Sequence, residues 1–349
     1  MSAAQGSLRA MVVDDSHFMR TVITDVLEEG GIAVVGEAGD GSQAVEQVAE
    51  SRPDVVTMDH QMPEMSGLDA VERIMAEHPT PILMLSAYTA EGADVTFEAL
   101  ERGAVDFLAK PGGEVSAGMP RLKDQLVRKV RAAAQADVAT PTDVADVSTS
   151  PADAITGSPT VVVASSTGGP RVVEQVLGAL PATDLRVLVV QHMPDEFTGR
   201  FAARLDDKTD FRVQEATDGA TAAAGEALVA PGGHHMVVGG YANGRVRVSL
   251  SDDPPVNGIR PAADVTMRSA AEVVDDRLVG TVLTGMGRDG AEGVRAITEA
   301  GGSVVAQDEE TSVVFGMPGS AIETGCVDEV RPVDEVPAAI ERAARGGPG

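Results

Sequence analysis

RAMVVDDS at residues 9–16 and VVTMD at residues 55–59 are two apolar runs of strand length that each end in carboxylates. Outward from them, short Val/Ile/Leu runs alternate with amphipathic stretches of helix length from Arg9 to about Ala134, the pattern of a β/α alternation. Five strands fit, at Ala10 to Val13, Ala33 to Ala38, Val55 to Met58, Ile82 to Leu85 and Asp106 to Leu108. Strands this apolar, separated by crossovers, belong to a parallel sheet covered by helices on both faces. In a doubly wound sheet the carboxyl ends of the strands meet at one edge, so Asp14, Asp15 and Asp59 are expected to converge there.

Three clustered carboxylates repel one another unless a hard cation sits among them, and Mg2+ takes oxygen ligands of this kind. Ser86 at the end of the fourth strand and Lys110 after the fifth add a hydroxyl and an ammonium to the same edge. Together these are the parts of a phosphoryl acceptor: a carboxylate nucleophile, a metal to neutralise charge and two donors for phosphoryl oxygens. With Val13 to Ser16, Met58, Asp59, Met62, Pro63, Ser66, Gly67 and the pair Lys110 and Pro111, the first 110 or so residues resemble a response-regulator receiver of flavodoxin-like fold. The resemblance implies that a chemotaxis histidine kinase phosphorylates Asp59, that Asp14 and Asp15 hold Mg2+ with it, and that Ser86 and Lys110 read the phosphoryl group. It also implies a cis bond between Lys110 and Pro111. His60 and Gln61 depart from the acid-bearing sequence expected after the acceptor.

The alternation fades after about Ala134 into Ala, Thr, Asp, Ser and Pro, so residues 135–159 are expected to be a flexible linker with nothing to bury. Residues 1–134 form one expected domain and residues 160–349 a second, again α/β and doubly wound with a mostly parallel sheet. Its strands are expected at Thr160 to Ala164, Arg186 to Val190, Arg212 to Glu215, Ala227 to Ala230, Val246 to Ser249, Leu278 to Leu283 and Ser303 to Ala306. Gly239, Gly240, Asn243 and Gly244 between short apolar runs suggest an antiparallel hairpin inserted near Met236 to Ser249.

Three polar residues in this half follow expected strands. Ser166 stands in SSTGGP, residues 165–170, where glycines and Pro170 suit a sharp turn into a helix whose N-terminus favours developing negative charge. A phosphate cradle is the competing use of such a turn, but the spacing fits neither a Walker loop nor a dinucleotide fingerprint. His192 follows one strand, and Asp289 lies in the glycine-rich loop TGMGRDG, residues 284–290, after another. A serine, a base and an acid beyond the carboxyl ends of parallel strands make a possible nucleophile, proton acceptor and orienting group. The chain order is not that of the α/β-hydrolases and the glycine-flanked nucleophile elbow is absent.

Through Ser166 to Gly169, Gln191 to Pro194, Ala230 to Met236, Arg260 to Val265, Thr284 to Gly290 and Val313 to Pro318, this half is similar to the catalytic domain of the chemotaxis protein-glutamate methylesterases, the CheB family. The resemblance implies hydrolysis of glutamate γ-methyl esters on methyl-accepting chemotaxis receptors, with receptor glutamine deamidation as a companion activity. It implies Ser166 as nucleophile, His192 as base and Asp289 as its orienting acid, with no cofactor for the ester chemistry. The Met286 N–H is expected to help hold the oxyanion, and Thr167 either to support the histidine or to cap the helix. Ala164 and Ser165 replace the glycine and small apolar residue of the family pattern, which leaves Ser165 as an alternative to Ser166. His234 and His235 are expected to line the cleft without binding metal. A non-catalytic, phosphorylation-dependent receptor adaptor is the rival reading, and Ser166→Ala would tell the two apart.

Composition bounds these readings. The formal net charge of −27 argues against nucleic acid and anionic lipid as partners. Lysine occurs only at Lys110, Lys123, Lys129 and Lys208 among widely spread acids, which is the surface of a halophile. Cys326 is the single cysteine, so no internal disulfide or thiolate zinc site is implied. With no long apolar run and no secretory signal in the first ten residues, the chain is expected to be a cytoplasmic monomer that does not insert in membranes.

Overall fold

The computed structural model describes residues 7–87, 90–110, 119–136, 138 and 158–346. Pro111, with its expected cis bond, and residues 139–157 of the expected linker lie outside the described residues. The chain divides into two compact units, Met1–Thr142 and Asp143–Gly349.

The first unit alternates β1 (Arg9–Val13), α1 (His17–Glu29), β2 (Ala33–Ala38), α2 (Gly41–Ser51), β3 (Val55–Asp59), α3 (Gly67–Glu77), β4 (Ile82–Ala87), α4 (Ala90–Glu101), β5 (Asp106–Lys110) and α5 (Met119–Ala133). All pairings in its sheet are parallel, in the order β2-β1-β3-β4-β5. Local sequence starts the helices: the side chains of Ser16, Asp40 and Ser66 accept from Met19, Gln43 and Asp69 N–H at the beginnings of α1, α2 and α3. Asp59 and Lys110 are the last residues of β3 and β5, not the residues after them, because the ladder runs one or two steps beyond the apolar stretch; Asp59 pairs with Leu85 and Lys110 with Ala87.

The second unit contains β6 (Thr160–Ser165), α6 (Gly169–Ala179), β7 (Arg186–Gln191), α7 (Asp195–Lys208), β8 (Arg212–Glu215), β9 (Thr221–Ala222), β10 (Glu226–Val229), β11 (His235–Ala242), β12 (Arg245–Ser251), α8 (Ala263–Val273), β13 (Leu278–Val282), α9 (Ala291–Glu299), β14 (Ser303–Gln307), α10 (Gly316–Glu323), β15 (Glu329–Arg331) and α11 (Val336–Arg345). Seven strands form a parallel sheet in the order β15-β14-β13-β6-β7-β10-β8. The expected hairpin is β11 and β12, joined by β9 into a separate three-stranded antiparallel sheet. The short strands β9 and β15 carry too little apolar sequence to be read in advance. Every residue of β6, β7 and β13 is buried, which is why these strands read as unbroken apolar runs and not as alternating ones. β6 has β7 on one side and β13 on the other, so the chain leaves it in both directions and opens a crevice at the carboxyl ends of these three strands.

Candidate active sites

In the first unit, Asp14 and Asp59 are buried and Asp15 is exposed, and one carboxylate oxygen from each lies within 4.8 Å of the others. Lys110 Nζ donates to Asp14 Oδ2 at 2.7 Å and to Asp59 Oδ1 at 2.8 Å, and the His60 amide adds a bond to Asp59 Oδ1 at 2.9 Å. A Cβ at Gly67 would run into the Asp59 carbonyl, so glycine there lets α3 begin against the end of β3. Burial pushes the Asp59 carboxyl above its ordinary range, and Lys110 offsets this only in part. Three hard oxygen donors facing a single ammonium suit a divalent cation such as Mg2+. Ser86 reaches the same edge, but its hydroxyl donates to Gly92 O at 2.8 Å and so points to the start of α4. His60 is mostly buried, with Nδ1 3.9 Å from Asp59 Oδ1; burial holds the ring below its usual range.

In the second unit the loops leaving β6, β7 and β13 interlock. Ser166 N–H donates to Thr284 O and His192 N–H to Ser165 O, both at 3.0 Å, and Gln191 Nε2 donates to Ser166 O at 2.8 Å. A Cβ at Gly285 would lie 2.9 Å from Ser166 Cβ, so glycine is what allows the β13 loop to come this close. His192 Nε2 lies 2.8 Å from Asp289 Oδ2. With that nitrogen bound to the carboxylate, Nδ1 is the ring atom left for a second partner.

The two adjacent serines have different surroundings. Ser165 is fully buried at the end of β6 and its hydroxyl donates to Gln191 Oε1 at 2.5 Å. Ser166 is half-buried, and its hydroxyl has no partner among the described residues. The amide of Met286 likewise has no acceptor among them. Thr167 departs from expectation. Its buried hydroxyl bonds neither His192 nor any other described group, and α6 has no side-chain cap. The reason is local: Gly168, at φ +77°, takes the N-cap position and leaves Thr167 one residue outside the helix.

Asp289 is 1% exposed. Burial alone would push its carboxyl up, but the His192 hydrogen bond and charge, with amides of Ala263 at 2.5 Å and Asp264 at 3.2 Å, hold it below the ordinary range. The expectation that His234 and His235 both line a cleft is corrected. His235 is buried, taking a hydrogen bond from Ala262 N–H on Nδ1 at 3.1 Å and meeting Pro254 O with Nε2 at 3.3 Å, as a neutral imidazole with one acceptor and one donor nitrogen can. His234 instead pairs with Asp252 at 2.8 Å near the surface. Neither joins a metal-ligand cluster among the described residues.

Residues 161–340 match the family described as CheB methylesterase, and residues 10–116 match the response regulator receiver domain. A protein-glutamate methylesterase/protein-glutamine glutaminase of Haloarcula marismortui is 56% identical over 352 residues, covering 94% of this chain and 95% of its own length. Its counterpart in Natronomonas pharaonis is 56% identical over 343 residues, covering 95% and 97%. The chain belongs to the CheB methylesterase family. The solved CheB methylesterase catalytic domain of Thermotoga maritima is similar at 41% identity and a TM-score of 0.50, covering 52% of this chain and 96% of that one. This member of the family is therefore an α/β enzyme with an N-terminal receiver domain. No helix among the described residues is long and apolar enough to cross a membrane.

Two residues beside the candidate triad, Gln191 and Asp264, lie in stretches that carry the family resemblance but have no role of their own legible in the sequence. Gln191 closes the Ser165–Ser166 turn, and Asp264 meets the loop of Asp289. An acid in the first turn of α8 was a visible helix-start signal, but its partners belong to a different helix and could not be found from local spacing.

Proposed function

We propose that this protein hydrolyses glutamate γ-methyl esters on chemotaxis receptors, and deamidates receptor glutamines, through an acyl-enzyme on Ser166 whose formation is controlled by phosphorylation of Asp59. The observation that carries the catalytic half is the His192–Asp289 pair at 2.8 Å, on loops that interlock with that of Ser166, whose hydroxyl has no partner among the described residues. His192 Nδ1 takes the Ser166 proton as the oxygen attacks the ester carbonyl. The proton then goes to the leaving methanol, and water releases the glutamate by the reverse sequence. Asp289 fixes the ring orientation and stabilises the imidazolium, while the Met286 amide is available to the oxyanion. An amide in place of the ester follows the same path with ammonia leaving.

In the receiver, Asp14, Asp15 and Asp59 would hold Mg2+, which when bound neutralises charge on the incoming phosphoryl group. Asp59 accepts that group from a histidine kinase, and Lys110 pairs with its oxygens. Ser86 would have to turn from Gly92 O to join them. Phosphorylation then raises the turnover of the catalytic unit on its receptor substrate. Methanol release from methylated receptors, with and without a phosphodonor, tests both halves in the wild type, Ser166→Ala and Asp59→Asn. Ser166→Ala should lose activity and Asp59→Asn should lose stimulation. Full activity in Ser166→Ala would overturn the mechanism, and unphosphorylated full-length protein as active as residues 150–349 alone would overturn the control.

A further inference from the structure

We infer that Asp264 is a positioning residue for the ester hydrolysis, acting through Asp289, an inference that rests on the triad reading above. The two carboxylates cap each other's helices. Asp289 accepts from the amides of Ala263 and Asp264, the first two residues of α8, at 2.5 and 3.2 Å. In return, Asp264 Oδ1 accepts from the amides of Gly290 and Gly293, the N-cap and third residue of α9, at 2.9 and 2.8 Å. Neither helix has a side-chain cap from its own N-cap residue, Ala262 in one case and Gly290 in the other, so each start is completed by an acid from the other segment.

The exchange fixes Asp289 from both sides. Its carboxylate is oriented by α8, and the backbone immediately after it is tied through Gly290 to the same helix. Gly290 has φ +93°, a conformation that leaves the loop little help from ordinary side-chain sterics. Asp264 is 2% exposed, and its other oxygen accepts from Asn257 Nδ2 at 3.2 Å. A buried acid beside a second buried acid is held here against burial and the Asp289 charge, both of which push its carboxyl up. The amides explain how it is tolerated. Its effect on the reaction runs through the angle and depth at which Asp289 meets His192, where small displacements are amplified in rate.

The experiment compares methanol release by the full chain carrying Asp264→Ala, Asp264→Asn, Asp289→Asn, Asp264→Ala with Asp289→Asn, and Ser166→Ala, using methyl-labelled receptors. Turnover is expressed per folded molecule, with the folded fraction taken from the thermal melt. Asp264→Ala should lower kcat about 10²-fold with KM nearly unchanged. Asp264→Asn keeps an acceptor for both glycine amides and should recover most of that loss. On the Asp289→Asn background, Asp264→Ala should change kcat by no more than about twofold, since its route to the histidine is already broken. An equal loss on both backgrounds, an Asn variant as slow as the Ala variant, or a wild-type rate in Asp264→Ala would overturn the inference. A Ser166→Ala variant that keeps its turnover would overturn the triad reading itself, an outcome distinct from failure at Asp264.

Discussion

His192 and Asp289, 97 positions apart in the chain, meet through Nε2 and Oδ2 at 2.8 Å. With the carboxylate accepting the Nε2 proton, Nδ1 is left as the acceptor of the ring, the nitrogen that the proposed mechanism turns to Ser166. Asp289→Asn should keep the fold yet present an amide that can stabilise the wrong tautomer. We expect kcat to fall by about 10⁴-fold with KM little changed, measured as methanol release.

Ser165 and Ser166 should respond in opposite ways to alanine. Removing the Ser165 hydroxyl leaves buried Gln191 Oε1 without its donor, a loss of about 1–3 kcal/mol seen as a lower melting temperature, while turnover per folded molecule stays close to wild type. Ser166→Ala should melt as the wild type does and lose on the order of 10⁴ to 10⁶ in rate.

The acidic cluster of Asp14, Asp15 and Asp59 gives a prediction for metal removal. With a chelator present, a phosphodonor should no longer label Asp59 or raise methanol release, and added Mg2+ should restore both. Basal ester hydrolysis should not respond to either treatment, since the groups proposed to carry it are Ser166, His192 and Asp289.

His235 should make the catalytic unit less stable in mild acid. Burial, the largest influence, lowers its pKa below the ordinary histidine value of about 6.5, so the unfolded chain takes up a proton before the folded one does. The stabilisation is complete above about pH 6.5 and is lost as the pH falls from there through the lowered folded value. Melting temperatures should therefore drop between pH 7.5 and 5.5, and His235→Asn should show a smaller drop over the same interval.

Low salt should unfold the protein. At molar salt the repulsion among carboxylates behind a net charge of −27 is screened within a few ångströms, and at about 0.1 M the screening length grows to about 10 Å. The haloarchaeal origin of the 56% identical relatives fits such a surface. Circular dichroism during dilution should show loss of structure; a melting temperature that holds or rises would sink the idea.

The sequence by itself determined the two α/β alternations, the carboxylate cluster at one sheet edge and the set of strand-end residues from which a triad could be drawn. These follow from short-range physics: apolar runs of strand length, turns with glycine and proline, and polar residues placed where a strand stops. It left open which serine is available, where Thr167 and Ser86 point, and whether His235 is exposed. Those were decided by how the chain packs, through neighbours both near and distant. Gln191 takes the Ser165 hydroxyl, Gly168 displaces Thr167 from the helix cap, Gly92 holds Ser86, and Ala262 and Pro254 enclose His235. The exchange of caps between Asp264 and Asp289 is likewise invisible in the sequence, since a hydrogen bond between the starts of two helices has no periodicity along the chain and exists only once α8 and α9 pack side by side.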